Sequence, residues 1–296
     1  MRKIIFLLLP FLTFVYGIEE YRVMKKYYTD GTNYFILTRE FTHNAHTYVL
    51  IANAQTLKTQ ILPREALALT PIEHPPFQTN FDKALAYATA LHVKGGAPKA
   101  LAQKPKAVFL TMDLCPSKKR GYESDFIAHL TELNGKTPIA IAITSAWIDQ
   151  HLDAFNAIAS HPHLDITWVN HTHTHFYDKT LADKENFMLH VNTNVAHEIL
   201  ELEKKLIMHS ITPSLFFRFP GLMSNEALMK ELKETYSVIP LGSNAWIAKH
   251  EPITEGSFIL IHGNKNEPEG IALLEQKLPW LVQHFTLRPI QEAFVP

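Results

Sequence analysis

From residue 107 onward, short apolar runs alternate with stretches that have the periodicity of amphipathic helices. Seven runs have the length and composition of buried strands: 108–112, 139–144, 166–169, 215–217, 238–241, 258–261 and, weakly, 286–290. The candidate helices between them include 124–134, 148–160, 195–209 and 225–236. Because helical crossovers join parallel strands, this alternation predicts an α/β fold built on a parallel sheet.

A closed or nearly closed barrel of about seven strands explains this pattern better than an open sheet does. No glycine-rich phosphate loop follows any of the strands, and no fixed period indicates a repeat array. In an α/β barrel the chemistry lies at the carboxyl ends of the strands. The residues that follow each apolar run are therefore the candidates for a functional site.

The segment before the barrel has a different pattern. Residues 18–104 contain strand-like runs at 21–28, 34–38, 47–52 and 57–62, with a turn at 29–32. We predict a small, mostly β extension, followed by a helix capped by Asn80 and closed by Gly95 and Gly96. The extension carries no motif. The sequence therefore does not decide whether it contacts the substrate, a partner or the barrel itself.

The first residues resemble an export signal. Arg2 and Lys3 precede the apolar run 4–15, and the small Gly17 stands at a plausible cleavage point. The run is short for a membrane span, which needs about 20 apolar residues, although an uncleaved anchor is the alternative. We predict that residues 1–17 are a signal peptide and that the protein is exported, to the periplasm or the medium, with no other membrane association.

Charge and cysteine content narrow the function classes. Without Arg2 and Lys3, the chain keeps 26 basic and 29 acidic side chains, a net charge near −3. Nothing in this balance indicates the basic face that a nucleic-acid-binding protein needs. With Cys115 as its one cysteine, an exported chain has no intramolecular disulfide and must rely on its hydrophobic core.

Three histidines in five residues follow the third predicted barrel strand, in the segment His171-Thr172-His173-Thr174-His175. On a strand all three rings would share one face, and on a helical turn His171 and His175 would converge. A polar loop without a ligand is the alternative. Paired neutral imidazoles are common ligands of zinc and related metals, so the segment predicts a metal site.

Other ionisable residues follow neighbouring strands. Asp113 ends the first apolar run, Arg218 follows the fourth, and His262 ends the sixth. Each has an ordinary structural explanation alone, as a cap, a surface cation or a buried ring. Together with a metal at the histidine segment they form a plausible set for metal-assisted hydrolysis.

The order of these residues resembles the polysaccharide deacetylase, or NodB-homology, superfamily over about residues 105–296. Four segments carry the resemblance: Thr111-Met112-Asp113-Leu114-Cys115, His171 to His175, Arg218-Phe219-Pro220 and Leu260-Ile261-His262. They match, in order, the family patterns T-F-D-D-G, H-S/T-x-x-H, R-x-P and L-x-H. The resemblance implies a distorted (β/α) barrel and removal of N-acetyl groups from a glycan.

The resemblance also implies roles for individual residues. His171 and His175 would bind one divalent metal, with zinc as the default, Arg218 would orient Asp113, and His262 would be the acid. Leu114 stands where common members have a second, metal-binding aspartate. The chain therefore resembles the branch of the family that has a single aspartate in this motif. Asp113 is therefore either the general base or the third metal ligand. In the second case the alternatives for the base, besides a differently placed water, are His173, Asp178 and Glu123.

A second departure is Asn244, near the position where the family often has an aspartate that tunes the catalytic histidine. Cys115 lies beside the site, and we interpret it as a small hydrophobic residue, with metal ligation the less favoured reading. Trp246 and Phe219 are equally consistent with core packing and with a platform for sugars.

The export signal and the resemblance together imply an N-acetylated glycan outside the cytoplasm, such as peptidoglycan or an exported polysaccharide. Two alternatives stay open. One is hydrolysis of another C–N bond, in a cyclic imide or small amide, and the other is a non-catalytic glycan-binding protein. The sequence does not decide the oligomeric state.

Overall fold

The computed structural model describes residues 17–90 and 95–296. It contains an antiparallel sheet of five strands, followed by a curled sheet of eight strands with helices around it. The predicted signal peptide, apart from Gly17, lies outside the described residues. Among the helices of the described ranges, none combines the length and apolar character needed to cross a bilayer.

The amino-terminal sheet confirms the predicted mostly β extension. Its strands are β1 (Glu19–Thr29), β2 (Tyr34–His43), β3 (His46–Asn53), β4 (Thr59–Pro63) and β5 (Thr70–Ile72), in the spatial order β4-β3-β2-β1-β5. The β1–β2 turn forms where predicted, because the Asp30 side chain accepts hydrogen bonds from the backbone N–H groups of Thr32 and Asn33.

The connector helix α1 (Asn80–Ala88) begins one residue earlier than its predicted cap implies. Thr79, not Asn80, is the N-cap: its hydroxyl accepts from the Asp82 backbone N–H, and the Asp82 carboxylate accepts from the Thr79 backbone N–H. This reciprocal capping box satisfies two helix-end donors at once, which a lone Asn80 would not do. The helix ends at Ala88, well before the predicted closure at Gly95.

The second sheet is the predicted distorted barrel. Its strands are β6 (Ala107–Leu114), β7 (Thr137–Ile143), β8 (Leu164–Asn170), β9 (Phe216–Phe217), β10 (Ile239–Pro240), β11 (Ala245–Trp246), β12 (Phe258–His262) and β13 (Thr286–Leu287). All pairs are parallel, in the order β10-β9-β8-β7-β6-β12-β11, with β13 beside β6.

Seven of these strands coincide with the predicted runs, and β11 is additional. Among the described residues β10 and β11 do not pair with each other, so the barrel is open between them.

Helices cross over between the barrel strands. They are α2 (Ser124–Asn134), α3 (Ser145–Gln150), α4 (Leu152–Ala159), α5 (Val195–Met208), α6 (Glu226–Glu231) and α7 (Pro268–His284). The predicted helix 148–160 is interrupted at His151, whose ring Nε2 lies 2.9 Å from the Ser117 carbonyl oxygen. The predicted helix 225–236 ends in a π-turn at Leu232–Tyr236.

The two sheets share part of their hydrophobic core. Every residue of β6 is buried, as expected for a central parallel strand covered on both sides. One apolar cluster includes Tyr27 and Ile36 of the amino-terminal sheet together with Phe109 and Phe258 of the barrel. Burial of such side chains contributes about 1.5–3 kcal/mol each, so this cluster fixes the sheet against the barrel.

A buried ion pair also joins the two parts. Arg39 on β2 reaches Glu203 on α5 with Nε 2.6 Å and Nη2 2.8 Å from the two carboxylate oxygens. Its Nη1 donates to the carbonyl oxygen of Tyr236, at 2.9 Å, and the Tyr21 hydroxyl donates to Glu203. The exposed fractions of Arg39 and Glu203 are 1% and 2%. Their charges are therefore compensated almost entirely by protein groups.

Candidate active site

The predicted site residues come together at one rim of the barrel, although they are up to 149 positions apart in the chain. Asp113 and His262 stand opposite each other on the neighbouring strands β6 and β12. His171 follows the last residue of β8, and Arg218 follows the last residue of β9. Parallel strands end at the same edge of a sheet, which is why four separate motifs form one site.

Asp113 is held by Arg218 in the interior of this rim. The carboxylate and the guanidinium have exposed fractions of 4% and 0%. Arg218 Nη1 lies 3.3 Å from Asp113 Oδ1, and Arg218 Nη2 donates to the Thr111 hydroxyl at 3.0 Å. The second oxygen, Oδ2, lies 3.8 Å from His171 Nε2. The pair therefore fixes one carboxylate oxygen and leaves the other directed toward the histidine.

His171 is oriented as a metal-binding imidazole would be. Its Nδ1 lies 2.8 Å from the backbone carbonyl oxygen of Arg218 and donates to it, so Nε2 carries the free lone pair. Burial lowers the pKa of His171, against the opposing effect of Asp113. The lowered pKa favours the neutral ring, the form that coordinates metals.

Cys115 and His175 complete a cluster of three donors. Cys115 Sγ lies 3.4 Å from His171 Nε2, and the ligand atoms of Cys115, His171 and His175 all lie within 4.8 Å of one another. His175 Nε2 is buried and finds no hydrogen-bond partner among the described residues. Burial raises the pKa of the Cys115 thiol, but the nearby His175 and His262 outweigh it and lower that pKa to about 7.

These donors fit a zinc ion. A thiolate at about 2.3 Å and an imidazole at about 2.0–2.1 Å from a tetrahedral zinc lie roughly 3.5 Å apart, close to the 3.4 Å between Cys115 Sγ and His171 Nε2. The unpartnered Nε2 of His175 supplies a third donor that burial would otherwise leave unsatisfied. Asp113 is not one of these three residues.

The histidine segment has neither of the two geometries that its sequence suggests. Residues 171–175 form a loop after β8, with Thr172 and His175 in the left-handed region at φ 77° and 52°. The backbone turn brings His175 back toward His171, with ring centroids 4.9 Å apart. The His173 ring instead packs against His197, at 4.8 Å. The i, i+4 pair is therefore the converging one.

His262 has a carboxylate partner that the sequence analysis did not identify. Its Nδ1 lies 2.8 Å from Glu267 Oε2, and the Trp246 indole N–H donates to the same carboxylate at 3.1 Å. Burial lowers the pKa of His262, but Cys115 and Glu267 outweigh it and raise that pKa to about 11. Asn244 accepts a hydrogen bond from the Phe258 backbone N–H instead. A glutamate five residues after the histidine was the available signal for this pair.

A small cavity of about 140 Å³ contains this chemistry. It is lined by Asp113, Cys115, His171, His175, Phe187, Gly221, Leu222, Trp246, Leu260 and His262. Glu123, His173 and Asp178, the alternative bases, do not line it. Phe219 is fully buried and packs in the core, at 4.9 Å from the Phe217 ring. Trp246 also lines the cavity, and Lys249 Nζ lies over one face of its ring, 3.5 Å from the centroid.

Comparison with known proteins gives a structural likeness and no matching family model. A family 4 carbohydrate esterase from Bacillus anthracis shares 18% identity at a TM-score of 0.51, covering 76% of this chain and 96% of that chain. Two mutants of a family 4 pseudoenzyme, one with restored activity, share 15% identity at TM-scores of 0.46 and 0.45. In both cases the matched region covers 65% of this chain. It covers 69% of the first mutant's chain and 68% of the second's. The chain thus has the distorted barrel fold of a family 4 carbohydrate esterase.

Proposed function

We propose that the protein is a metal-dependent hydrolase that removes N-acetyl groups from an extracytoplasmic glycan, such as peptidoglycan or an exported polysaccharide. One observation carries this proposal. A three-donor cluster fit for zinc lies between a carboxylate fixed by arginine and a histidine paired with glutamate. Amide hydrolysis needs a Lewis acid, a base for water and an acid for the departing amine.

Cys115, His171 and His175 would hold the metal, and zinc suits two imidazoles and a thiolate. Three protein ligands leave the fourth tetrahedral position open, as catalytic zinc sites require. When bound there, zinc would lower the pKa of water toward about 7 and polarise the acetyl carbonyl group. With a thiolate in the ligand set, Asp113 is not needed as a ligand.

Asp113 is then the general base. Arg218 engages Oδ1 at 3.3 Å, so the lone pairs of Oδ2 are available to take the proton from the attacking water. The proton moves to Oδ2 as the water oxygen attacks the acetyl carbon. Arg218 keeps the carboxylate oriented through this step, since its Nη2 is itself anchored on Thr111.

His262 is the general acid. Its Nδ1 is directed to Glu267, so Nε2 is left to protonate the amine nitrogen as the C–N bond breaks. The Glu267 carboxylate, 2.8 Å from Nδ1, favours the protonated ring, which suits an acid, because an amide nitrogen leaves poorly as an anion. Glu267 is a positioning residue that stabilises the charged form of His262.

We expect Glu267→Gln to shift the basic limb of the pH–kcat profile to lower pH. The carboxylate stabilises the imidazolium and raises the pKa of His262, so removing its charge lowers this pKa. In the variant the His262 ring therefore loses its proton, and the enzyme its general acid, at a lower pH than in the wild type. Glu269→Gln, at an exposed position two residues after Glu267, is the matched control. A basic limb that moves equally in both variants contradicts the role of Glu267.

The function is tested by acetate release. The purified protein, stripped of metal and then given one equivalent of zinc, should release acetate from the N-acetylglucosamine tetramer. The stripped protein should not, because the base and acid alone do not activate the carbonyl. If the zinc-loaded protein releases no acetate from any N-acetylated glycan, the deacetylase proposal fails. Ring opening of dihydrouracil would then favour the cyclic imide alternative, and binding without turnover the non-catalytic one.

The extracytoplasmic location rests on the amino-terminal sequence alone. Arg2, Lys3 and the following apolar run have the composition of an export signal. Intact mass of the secreted protein should correspond to a chain that begins near Ile18. A full-length product in the cytosol would overturn this part of the proposal.

A further inference from the structure

A second cavity, of about 720 Å³, opens beside the catalytic one. The two share Cys115, His175 and Phe187 as walls. The catalytic cavity, at about 140 Å³, is well below the roughly 300–1,000 Å³ of small-molecule sites. It has room for the reacting acetyl group, so the rest of a glycan must lie outside it. The larger cavity is the adjoining space of suitable size.

Aromatic rings form one wall of this larger cavity. Phe176 and Tyr177 have exposed fractions of 38% and 57%, and the Tyr177 ring stacks on Phe187 with centroids 5.3 Å apart and planes 23° apart. Exposed aromatic faces are natural surfaces for the C–H face of a pyranose ring.

The loop that carries these rings is internally fixed. Asn186 is fully buried, and its side chain accepts from the Asp178 backbone N–H at 2.6 Å and donates to the Asp178 carbonyl oxygen at 3.0 Å. The Phe187 backbone N–H donates to the Phe176 carbonyl oxygen at 2.9 Å. A loop held in this way presents its rings before a ligand arrives, which lowers the entropy cost of binding.

The charge of the cavity favours an acetylated sugar over a free amine. Its lining in the described part of the chain comprises Cys115, Pro116, Ser117, Lys118, Gln150, Thr174, His175, Phe176, Tyr177, Phe187 and Asn266. None of these is acidic, and Lys118 is cationic. A glucosamine ring is partly protonated near neutral pH and its ammonium form would meet like charge there, whereas an N-acetylglucosamine ring is neutral.

We propose that Phe176, Tyr177 and Phe187 form a sugar-binding platform that receives pyranose rings of the N-acetylated glycan next to the reacting one. The proposal rests on the proposed function and adds the residues that select the substrate. The platform gives the enzyme a preference for oligomers over single sugars, because a monosaccharide in the catalytic cavity cannot reach it with a second ring.

Calorimetric titration with the N-acetylglucosamine tetramer tests the platform. Tyr177→Ala should weaken binding about tenfold, the effect of losing an aromatic contact and its buried area, and Tyr177→Phe should restore it. In turnover, Tyr177→Ala should raise KM more than it lowers kcat. Phe77→Ala removes an equally exposed aromatic ring, at 53%, outside both cavities, and should change nothing. The glucosamine tetramer should bind the wild-type protein severalfold more weakly.

The outcomes separate the platform from the deacetylase. Tetramer binding to Tyr177→Ala within twofold of wild type, or no binding to the wild-type protein, would overturn the platform even if acetate is released. Equal binding of the two tetramers would overturn its assignment to acetylated sugars. Binding that depends on Tyr177 without any acetate release would support the platform and sink the proposed function.

Discussion

His171→Ala combined with His175→Ala should reduce bound zinc from one ion per chain to almost none. Both imidazoles belong to the three-donor cluster. The Cys115 thiolate that remains binds zinc too weakly, as a single ligand, to retain it during dialysis. Metal analysis by mass spectrometry after dialysis gives the stoichiometry. His173→Ala is the matched control, because the His173 ring packs on His197 instead, and it should retain the ion. A double variant with full stoichiometry would make the histidine segment structural.

Cys115→Ala should also weaken zinc binding, by about 100-fold or more. Loss of a directly bound thiolate should exceed the roughly 10–100-fold effect of removing an outer partner of a ligand. Competition with a chromophoric chelator measures the affinity. Unchanged affinity in this variant would remove Cys115 from the ligand set and return Asp113 as the third ligand.

Asp113→Asn should lower kcat on the N-acetylglucosamine tetramer about 10²-fold or more, with zinc content unchanged. The amide keeps the shape of the side chain but cannot accept the water proton, and general base catalysis contributes roughly 10²–10⁴-fold. Rate and metal content should be measured on the same preparation. Asp178→Asn is the matched control: this carboxylate accepts from the Thr180 hydroxyl and backbone N–H and should retain full activity.

The alternative role for Asp113 gives a different result. As a metal ligand it would lose affinity for zinc on the same substitution, and excess zinc would partly restore the rate. Such a rescue would contradict the assignment of Asp113 as the base. If the substitution leaves both the rate and the metal content unchanged, neither role is correct.

Much of the fold follows from local sequence. All seven predicted barrel strands form. Six of them are short apolar runs of the kind that lies buried in a parallel sheet. The additional strand β11 has only two residues, Ala245 and Trp246, too few for a periodic signal. The predicted helix 148–160 is broken at His151, whose ring contacts the carbonyl oxygen of Ser117, a residue outside that segment.

The site was predictable where strand ends determine it. Asp113, His171, Arg218 and His262 meet because they lie at, or next to, the carboxyl ends of strands of one parallel sheet. The contributions of Cys115 and Glu267 depend on the path of two loops. Thr172 and His175 adopt positive φ, which turns His175 toward Cys115, and Glu267 reaches His262 from the start of α7. The turn at Thr172 and His175 has no signature in residue spacing, whereas the position of Glu267 five residues after His262 was a usable signal.

The buried pair of Arg39 and Glu203 has a consequence for dividing the chain. A fragment that begins at residue 105 contains every residue of the candidate site but loses Arg39 and Tyr21, the two side chains of the first sheet that engage Glu203. It also loses the amino-terminal members of the apolar cluster that includes Phe109 of β6 and Phe258 of β12. The amino-terminal sheet therefore completes the packing of the barrel, and we expect the second part of the chain to be less stable when it is expressed alone.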